Sequence, residues 1–188
     1  MKSIILVEPE IPENTGFIAR LCANFDYELK IVNPDFNLEE SKKTASSAQD
    51  KLREARIYDE LEEAIKEVEY VVATKPGRGQ KAMEFKAREN TSIMIGRESR
   101  GLSNKEIDLC DAVVHIEASE YSSLNQSHAA GILMHEFSTN SEPKGATDFE
   151  VVEKFIEIPI LRKIIKQANP TQDELNNLIG QMRDKDYF

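Results

Sequence analysis

The sequence predicts an α/β fold: a mostly parallel sheet with helices on both faces. Short runs of aliphatic and β-branched residues recur along the chain and are apolar at successive positions, as in strands buried on both sides. Segments with helical spacing or helix-capping signals separate them, so strands and helices alternate. A third observation fixes where a ligand would sit. The predicted strands run into loops rich in glycine, serine, asparagine and charge, and open parallel sheets bind ligands beyond the carboxyl ends of their strands.

Taken in order, Ser3–Val7 (Ser-Ile-Ile-Leu-Val) reads as a buried strand. Residues 15–25 follow as a helix, with Phe17, Ile18, Leu21, Cys22 and Phe25 at helical spacing. Residues 29–32 are a second strand, ended by Asn33-Pro34. Residues 39–56 are polar and read as helical with a break near 44–47. Residues 61–68 form a short amphipathic helix. Residues 70–73 are a strand that opens into the turn-rich segment Thr74-Lys-Pro-Gly-Arg-Gly79. Residues 93–95 are a strand followed by a loop at 96–102. Ser103-Asn-Lys-Glu106 is a capping box for a short helix through Cys110. Residues 112–116 are a further strand, and 124–137 a helix behind a serine-rich loop. Ser123 and Gln126 have capping-box spacing, so Ser123 is expected to cap that helix.

Residues 138–147 are rich in Ser, Asn, Pro and Gly and read as a linker. Beyond it, the pairs Thr147/Glu150 and Thr171/Glu174 mark the starts of two helices divided by Asn169-Pro170. The expected organisation is a domain over 1–137, a linker over 138–147 and a helical extension over 148–188. That extension is too small to fold alone.

Composition bounds the function. A chain of 188 residues with 40% apolar content holds one sizeable core and a small appendage. Its net charge of −10 argues against a broad nucleic-acid footprint. The segment 75–88 is the local exception, with Lys75, Arg78, Lys81, Lys86 and Arg88 against Glu84 alone. Such a patch can hold phosphates or be an ordinary solvated loop. Cys22 and Cys110 lie in apolar patterns and read as reduced buried thiols, which fits the cytoplasm. His115, His128 and His135 make no metal constellation, so no metal is expected. The N-terminal apolar run is too short for a signal peptide or a membrane span. Neither G-x-G-x-x-G nor G-K-[ST] is present, which speaks against a dinucleotide or triphosphate site.

Three segments stand out as a candidate site. The first is Glu8-Pro-Glu-Ile-Pro-Glu-Asn14-Thr-Gly16, closed by Arg20. The second is Ile95-Gly96-Arg-Glu98-Ser-Arg-Gly101-Leu102, whose glycines allow close backbone approach to a ligand. The third is Glu120-Tyr-Ser122-Ser123-Leu124-Asn125, where hydroxyls, an amide and a helix start meet.

These segments resemble the SPOUT superfamily of RNA methyltransferases, in particular the SpoU class of ribose 2′-O-methyltransferases. Asn14-Thr-Gly-Phe-Ile-Ala-Arg20 is similar to its first motif, N-x-G-x-x-x-R. Residues 93–102 are similar to the second, a strand followed by G-x-E-x-x-G-L. Ile116 and Ser122-Ser-Leu-Asn125 are similar to the third. The likeness spans residues 1–137. In the tail, Leu161-Arg-Lys-Ile and Asn169-Pro-Thr-Gln-Asp-Glu-Leu resemble enzymes that methylate the first nucleotide of the tRNA anticodon loop.

The resemblance implies S-adenosylmethionine held in a C-terminal trefoil knot, a homodimer formed through helix 15–25 and the last core helix, and tRNA as the partner. The cofactor residues it implies are Thr74, Lys75, Pro76, Gly96, Gly101, Leu102, Ile116, Ser122, Ser123, Leu124 and Asn125. The catalytic set it implies is Arg20, Ser123, Asn125, Asn14 and Glu98. The family often casts the arginine at the position of Arg20 as the base, but a guanidinium is a poor base at neutral pH, so Arg20 is expected instead to hold a phosphate and stabilise the developing alkoxide. Ser123 and Asn125 would orient the hydroxyl, and Asn14 and Glu98 would fix the loops. Alternatives are the same chemistry on the wobble nucleotide or on ribosomal RNA. A binding module without turnover is the alternative of another class.

Overall fold

The structure is a computed structural model that describes residues 2–119 and 123–139. Its sheet is built from β1 (Ser3–Val7), β2 (Glu28–Val32), β3 (Arg56–Tyr58), β4 (Tyr70–Thr74), β5 (Gln80–Lys81), β6 (Thr91–Ile95) and β7 (Ala112–His115). The order across the sheet is β3-β2-β1-β6-β4-β7-β5. Every pairing is parallel, so all the strands point their carboxyl ends at one edge. The expected fold, a parallel sheet with helices on both faces, is the one observed.

Why the strands read as unbroken apolar runs is visible in β1. Ile4 and Leu6 face one core with Ile18 and Cys22 of α1 (Pro12–Phe25) and Leu133, Met134 and Phe137 of α6 (Gln126–Thr139). Ile5 and Val7 face a second core with Leu61 and Ala64 of α4 (Leu61–Ile65) and Ile107 of α5 (Asn104–Asp108). Both faces are dry, so alternation between polar and apolar residues disappears. Burial pushes the Cys22 thiol up to about 12, out of the reactive range. Cys110 is likewise buried, its Sγ 3.6 Å from Met94 Sδ.

The helix α1 starts at Pro12, earlier than its apolar spacing predicts. Proline suits the first turn, where its missing N–H would have no intrahelical partner. Residues 39–56 depart further from expectation. They form a 3₁₀ turn (Leu38–Ser41), α2 (Lys42–Ala45), a second 3₁₀ turn (Ser46–Ala48) and α3 (Gln49–Arg53). The break falls at Ser46, whose φ of 51° no helix can continue. Arg56 then belongs to β3 rather than to a helix. The short edge strands β3 and β5 were not anticipated, because three and two residues are too few to show a period.

The topology places the candidate site. The strand β6 lies between β1 and β4, although far from β1 in sequence. Its insertion makes β1, β6, β4 and β7 consecutive, so the loops that leave those four strands are neighbours. Residues 1–141 form one compact unit. The expected linker beyond residue 139 and the helical extension over 148–188 lie outside the described residues. The knot implied by the resemblance remains an expectation. No described helix is long and apolar enough to cross a membrane.

Gly16 is set by this packing. A Cβ there would collide with Thr44 Oγ1, Ser41 O and Ala45 N, so its bare backbone lets α1 lie against 41–45. The sequence places Gly16 in a site motif, yet its work is helix packing. Gly16→Ala is expected to lose about 1–3 kcal/mol of stability by overpacking, read as a lower midpoint in urea unfolding.

Candidate active site

Four loops enclose a cavity of about 510 Å³ at the carboxyl edge of the sheet. Ile11 and Asn14 enter from the loop after β1 and the start of α1. Thr74 and Pro76 follow β4, and Gly96 to Gly101 follow β6. Ile116, Ser123, Leu124 and Asn125 follow β7 and lead into Gln126 and Ala129 of α6. The segments that share no sequence neighbourhood are therefore brought together by strand order alone.

Hydrogen bonds lace two of these loops. Glu98 Oε2 accepts from the Glu10 amide at 2.8 Å. Its Oε1 accepts from Asn14 Nδ2 at 3.0 Å and from the Ile11 amide at 3.3 Å. In return Glu10 accepts from the Ser99 amide and hydroxyl at 2.9 and 2.7 Å. Asn125 Nδ2 donates to Asn14 Oδ1 at 3.0 Å, which joins the third segment to the same chain of bonds. Asn14, Glu98 and Asn125 thus form one network.

Beside it, Arg97 is 8% exposed and held between two carboxylates. Its Nε donates to Glu8 Oε2 at 2.6 Å, and Nη1 and Nη2 fork onto Glu106 at 3.1 and 3.0 Å. Glu8 reaches it from a backbone with φ of 45°, a strained conformation for a side chain of that length. Glu106 also closes the expected capping box of α5 with Ser103. Arg97 holds the Glu8 carboxyl below its ordinary range. Ser99 does the same for Glu10. At Glu106 burial pushes upward, but hydrogen bonds from Arg97 and Ser103 outweigh it and the carboxyl is also held low.

The predicted residues divide into groups. Thr74, Pro76, Gly96, Gly101, Ile116, Ser123, Leu124, Asn125, Asn14 and Glu98 all line the cavity. Lys75 and Leu102 do not. Lys75 Nζ donates to the Leu102 carbonyl at 3.0 Å, and Leu102 is 2% exposed in the second core, so both support the wall from behind. Ser122 lies outside the described residues. Arg20 is exposed and lines an adjoining hollow of about 580 Å³ with Phe17, Asn24 and His128. Asn14 and Asn125 line both spaces.

Three expectations are corrected. Ser123 does not cap α6. Asn125 Oδ1 does, accepting from the Ser127 amide at 2.9 Å, its hydroxyl at 2.7 Å and the His128 amide at 3.4 Å. Asn125 immediately precedes the helix, so its short amide reaches the second and third helical N–H groups. Gln126 is the first helical residue and turns inward instead. The second concerns what the missing side chain of Gly96 makes room for, which is its own loop. A Cβ there would strike the backbone of Gly101 and Leu102, so the glycine lets the loop fold onto itself. The third concerns the basic segment. Arg78 donates to Asn104 at 3.0 Å, Lys81 pairs with Glu117 at 2.6 Å, and Arg88 stacks over the Tyr70 ring at 4.2 Å. Lys75 is also engaged, but Arg78 and Lys86 are exposed, so only part of that positive charge is tied into the fold.

The sequence reading assigned no site role to Ile11, Ile95, Arg97, Ser99, Arg100, Gln126 or Ala129, which also line the cavity. A charged residue inside a glycine-flanked loop was the available signal for Arg97. Nothing local distinguishes Gln126. Among the described residues no group of three or more His, Cys, Asp or Glu is placed to hold a metal.

Glu8, Glu10 and Glu106 are held low, so the unfolded chain takes up protons first as pH falls. Their contribution is fully present above the ordinary glutamate range near ~4.3 and is lost as pH drops through the lowered values. Arg97→Met is expected to cost about 2–3 kcal/mol at neutral pH, below the cost for a fully buried pair because Glu8 stays partly in solvent. It should also flatten the loss of stability between pH ~5 and ~3. Urea unfolding of both proteins across that range is the check.

A family model described as the SpoU rRNA Methylase family matches residues 1–135. A tRNA (cytidine-2'-O-)-methyltransferase TrmJ of Methanocaldococcus jannaschii is 37% identical, with 74% of this chain and 68% of that protein covered. A tRNA (cytidine(34)-2'-O)-methyltransferase of Escherichia coli is 29% identical, with 72% of this chain and 91% of that protein covered. Among solved structures, a probable methyltransferase from Bordetella pertussis has a TM-score of 0.67 at 29% identity, covering 73% of this chain and 94% of its own. The matched residues carry all four loops of the cavity, and the chain belongs to the SpoU rRNA methylase family.

Proposed function

We propose that the chain transfers a methyl group from S-adenosylmethionine to a ribose 2′-hydroxyl of tRNA, at the first nucleotide of the anticodon loop. The observation that carries this reading is the pair of adjoining hollows that share Asn14 and Asn125. One suits the cofactor and the other an RNA ribose and phosphate, with the reacting atoms meeting at the shared asparagines.

The first hollow fits the cofactor. Its volume of about 510 Å³ lies in the range of small-molecule sites. Ile95, Ile116 and Leu124 supply apolar wall for a base, while Ser123, Asn125 and the loop backbone supply polar groups. Thr74, Pro76, Gly96 and Gly101 complete the proposed contacts, with Lys75 and Leu102 acting through the loop they hold. When bound, the cofactor supplies an electrophilic sulfonium methyl.

The chain's own residues supply positioning and charge. Asn14 and Glu98 fix the loops, since their bonds run to each other and to the backbone. The Asn125 carbonyl is spent on the helix cap and one amide hydrogen on Asn14, which leaves one donor for the ribose. Ser123 offers a hydroxyl at the same rim. Alignment of reactants alone supplies ~7–11 kcal/mol. A guanidinium holds its protons too firmly to act as a base near neutral pH. Arg20 therefore serves to hold the neighbouring phosphate and to stabilise the oxygen that gains charge.

The first-loop-nucleotide assignment rests on the resemblance of Leu161-Arg-Lys-Ile and Asn169-Pro-Thr-Gln-Asp-Glu-Leu, while the relative of 37% identity supports a tRNA ribose target without a position. The wobble reading is kept as second because the cytidine(34) enzyme is covered over 91% of its length. We also propose a homodimer through α1 and α6. Phe17 and Ile132 on those helices are 43% and 39% exposed beside Arg20, and an acidic single chain is poorly suited to gripping RNA alone.

Nucleoside mass spectrometry of tRNA from a deletion strain is expected to show one 2′-O-methylated anticodon-loop nucleotide missing; an unchanged profile overturns the substrate assignment. Arg20→Ala is expected to slow single-turnover methylation about 10²–10³-fold with cofactor affinity near wild type, and Arg20→Lys to rescue only in part. Sedimentation at micromolar concentration is expected to give a dimer, against 21.3 kDa for the single chain.

A further inference from the structure

Gln126 lines the cavity at the start of α6 and is 4% exposed. Its Nε2 donates to the Gly96 carbonyl at 2.9 Å. Turning the amide over would set two carbonyl oxygens against each other, so that bond fixes which end is nitrogen. The other end, Oε1, is buried and has no hydrogen-bond partner. A buried acceptor without a donor is unfavourable, and native structures leave few of them. Other buried atoms without partners, on Ser3, Thr15, Ser41, His115 and Ser138, belong to residues that do not line this cavity. Among the described residues, Gln126 alone combines an orphaned acceptor with a place in the cavity wall.

We propose that Gln126 Oε1 accepts a hydrogen bond from an N–H group of the bound cofactor, and so sets the cavity's ligand specificity. This rests on the reading of the cavity as the S-adenosylmethionine site. That cofactor carries N–H donors at its two extremes, the exocyclic amine of adenine and the α-ammonium of the amino acid. A carbonyl oxygen suits either, whereas an apolar residue at 126 would reject neither and select neither. Sites built to pair a polar group discriminate strongly against ligands that lack it, because the protein group is then left buried and unpaired.

Titration calorimetry with S-adenosylhomocysteine tests the idea without turnover. Failure of the wild-type chain to bind it overturns the reading of the cavity itself. Gln126→Met has similar length and no amide, and is expected to bind S-adenosylhomocysteine about tenfold more weakly. Two further ligands identify the donor. 5′-Methylthioadenosine lacks the ammonium, and S-inosylhomocysteine lacks the adenine amine. The difference between wild type and Gln126→Met should vanish for whichever ligand lacks the donor that Oε1 receives. An equal loss for all three ligands, or no loss for any, overturns the inference and leaves Gln126 as support for Gly96. Gln126→Glu keeps an acceptor and removes the donor to Gly96, which provides a second variant should the first not fold. It should still separate the three ligands as wild type does, and loss of that discrimination also overturns the proposal.

Discussion

The carboxylate of Glu98 is the interaction on which the site depends. It accepts two backbone amides and one side-chain amide from the segment 10–14, which lies some 85 residues earlier in the chain. Those contacts exist only because β6 is inserted beside β1 in the sheet. Once Glu98 is held, Glu10 returns the bond to Ser99, and Asn14 passes it on to Asn125. Asn125 in turn sets the start of α6 by capping it. One partly buried acidic group thus fixes three loops and one helix origin. The arrangement also explains how polar loops can be rigid, because the amides of Glu10, Ile11 and Ser99 each find a carboxylate rather than water.

Much of this was legible in the sequence because several elements carry their own local signal. β1, β4, β6 and β7 are short apolar runs, and the Ser103–Glu106 capping box appears as spaced. The three loop segments were found by their glycines, amides and charges, and they do converge. What could not be read is what depends on a distant partner. Gly16 stood in a site motif, but its close neighbour is residues 41–45. Gly96 stood in another, but its neighbour is its own loop. Both are demanded by backbone approach, and a sequence shows the demand without the identity of the approaching group.

Asn125 and Gln126 illustrate the same limit at finer scale. Capping-box spacing assigned Ser123 and Gln126 to each other. The helix begins two residues later than that spacing requires, which gives the cap to Asn125 and frees Gln126 to point at Gly96. A shift of two residues in a helix start changes the role of three side chains. Element boundaries are the weakest part of any sequence reading, and here they decide which groups remain for a ligand.

The electrostatics have a similar logic. Part of the positive charge in 75–88 is engaged within the fold, while Arg78 and Lys86 stay exposed. Lys75 holds a carbonyl, Arg78 an asparagine, Lys81 a glutamate, and Arg88 lies on an aromatic ring. Arg97 is neutralised by Glu8 and Glu106. Arg100 keeps only a 3.5 Å contact with Glu8 and is 70% exposed at the rim of the first hollow. Arg20 stands exposed in the second. Among the described residues that line the two hollows, the exposed arginines are therefore Arg20 and Arg100, one at each. A chain with net charge −10 gains little from long-range attraction of RNA. Recognition by such a surface must come from a few well-placed guanidinium groups, whose planar geometry matches a phosphate, rather than from a diffuse basic field.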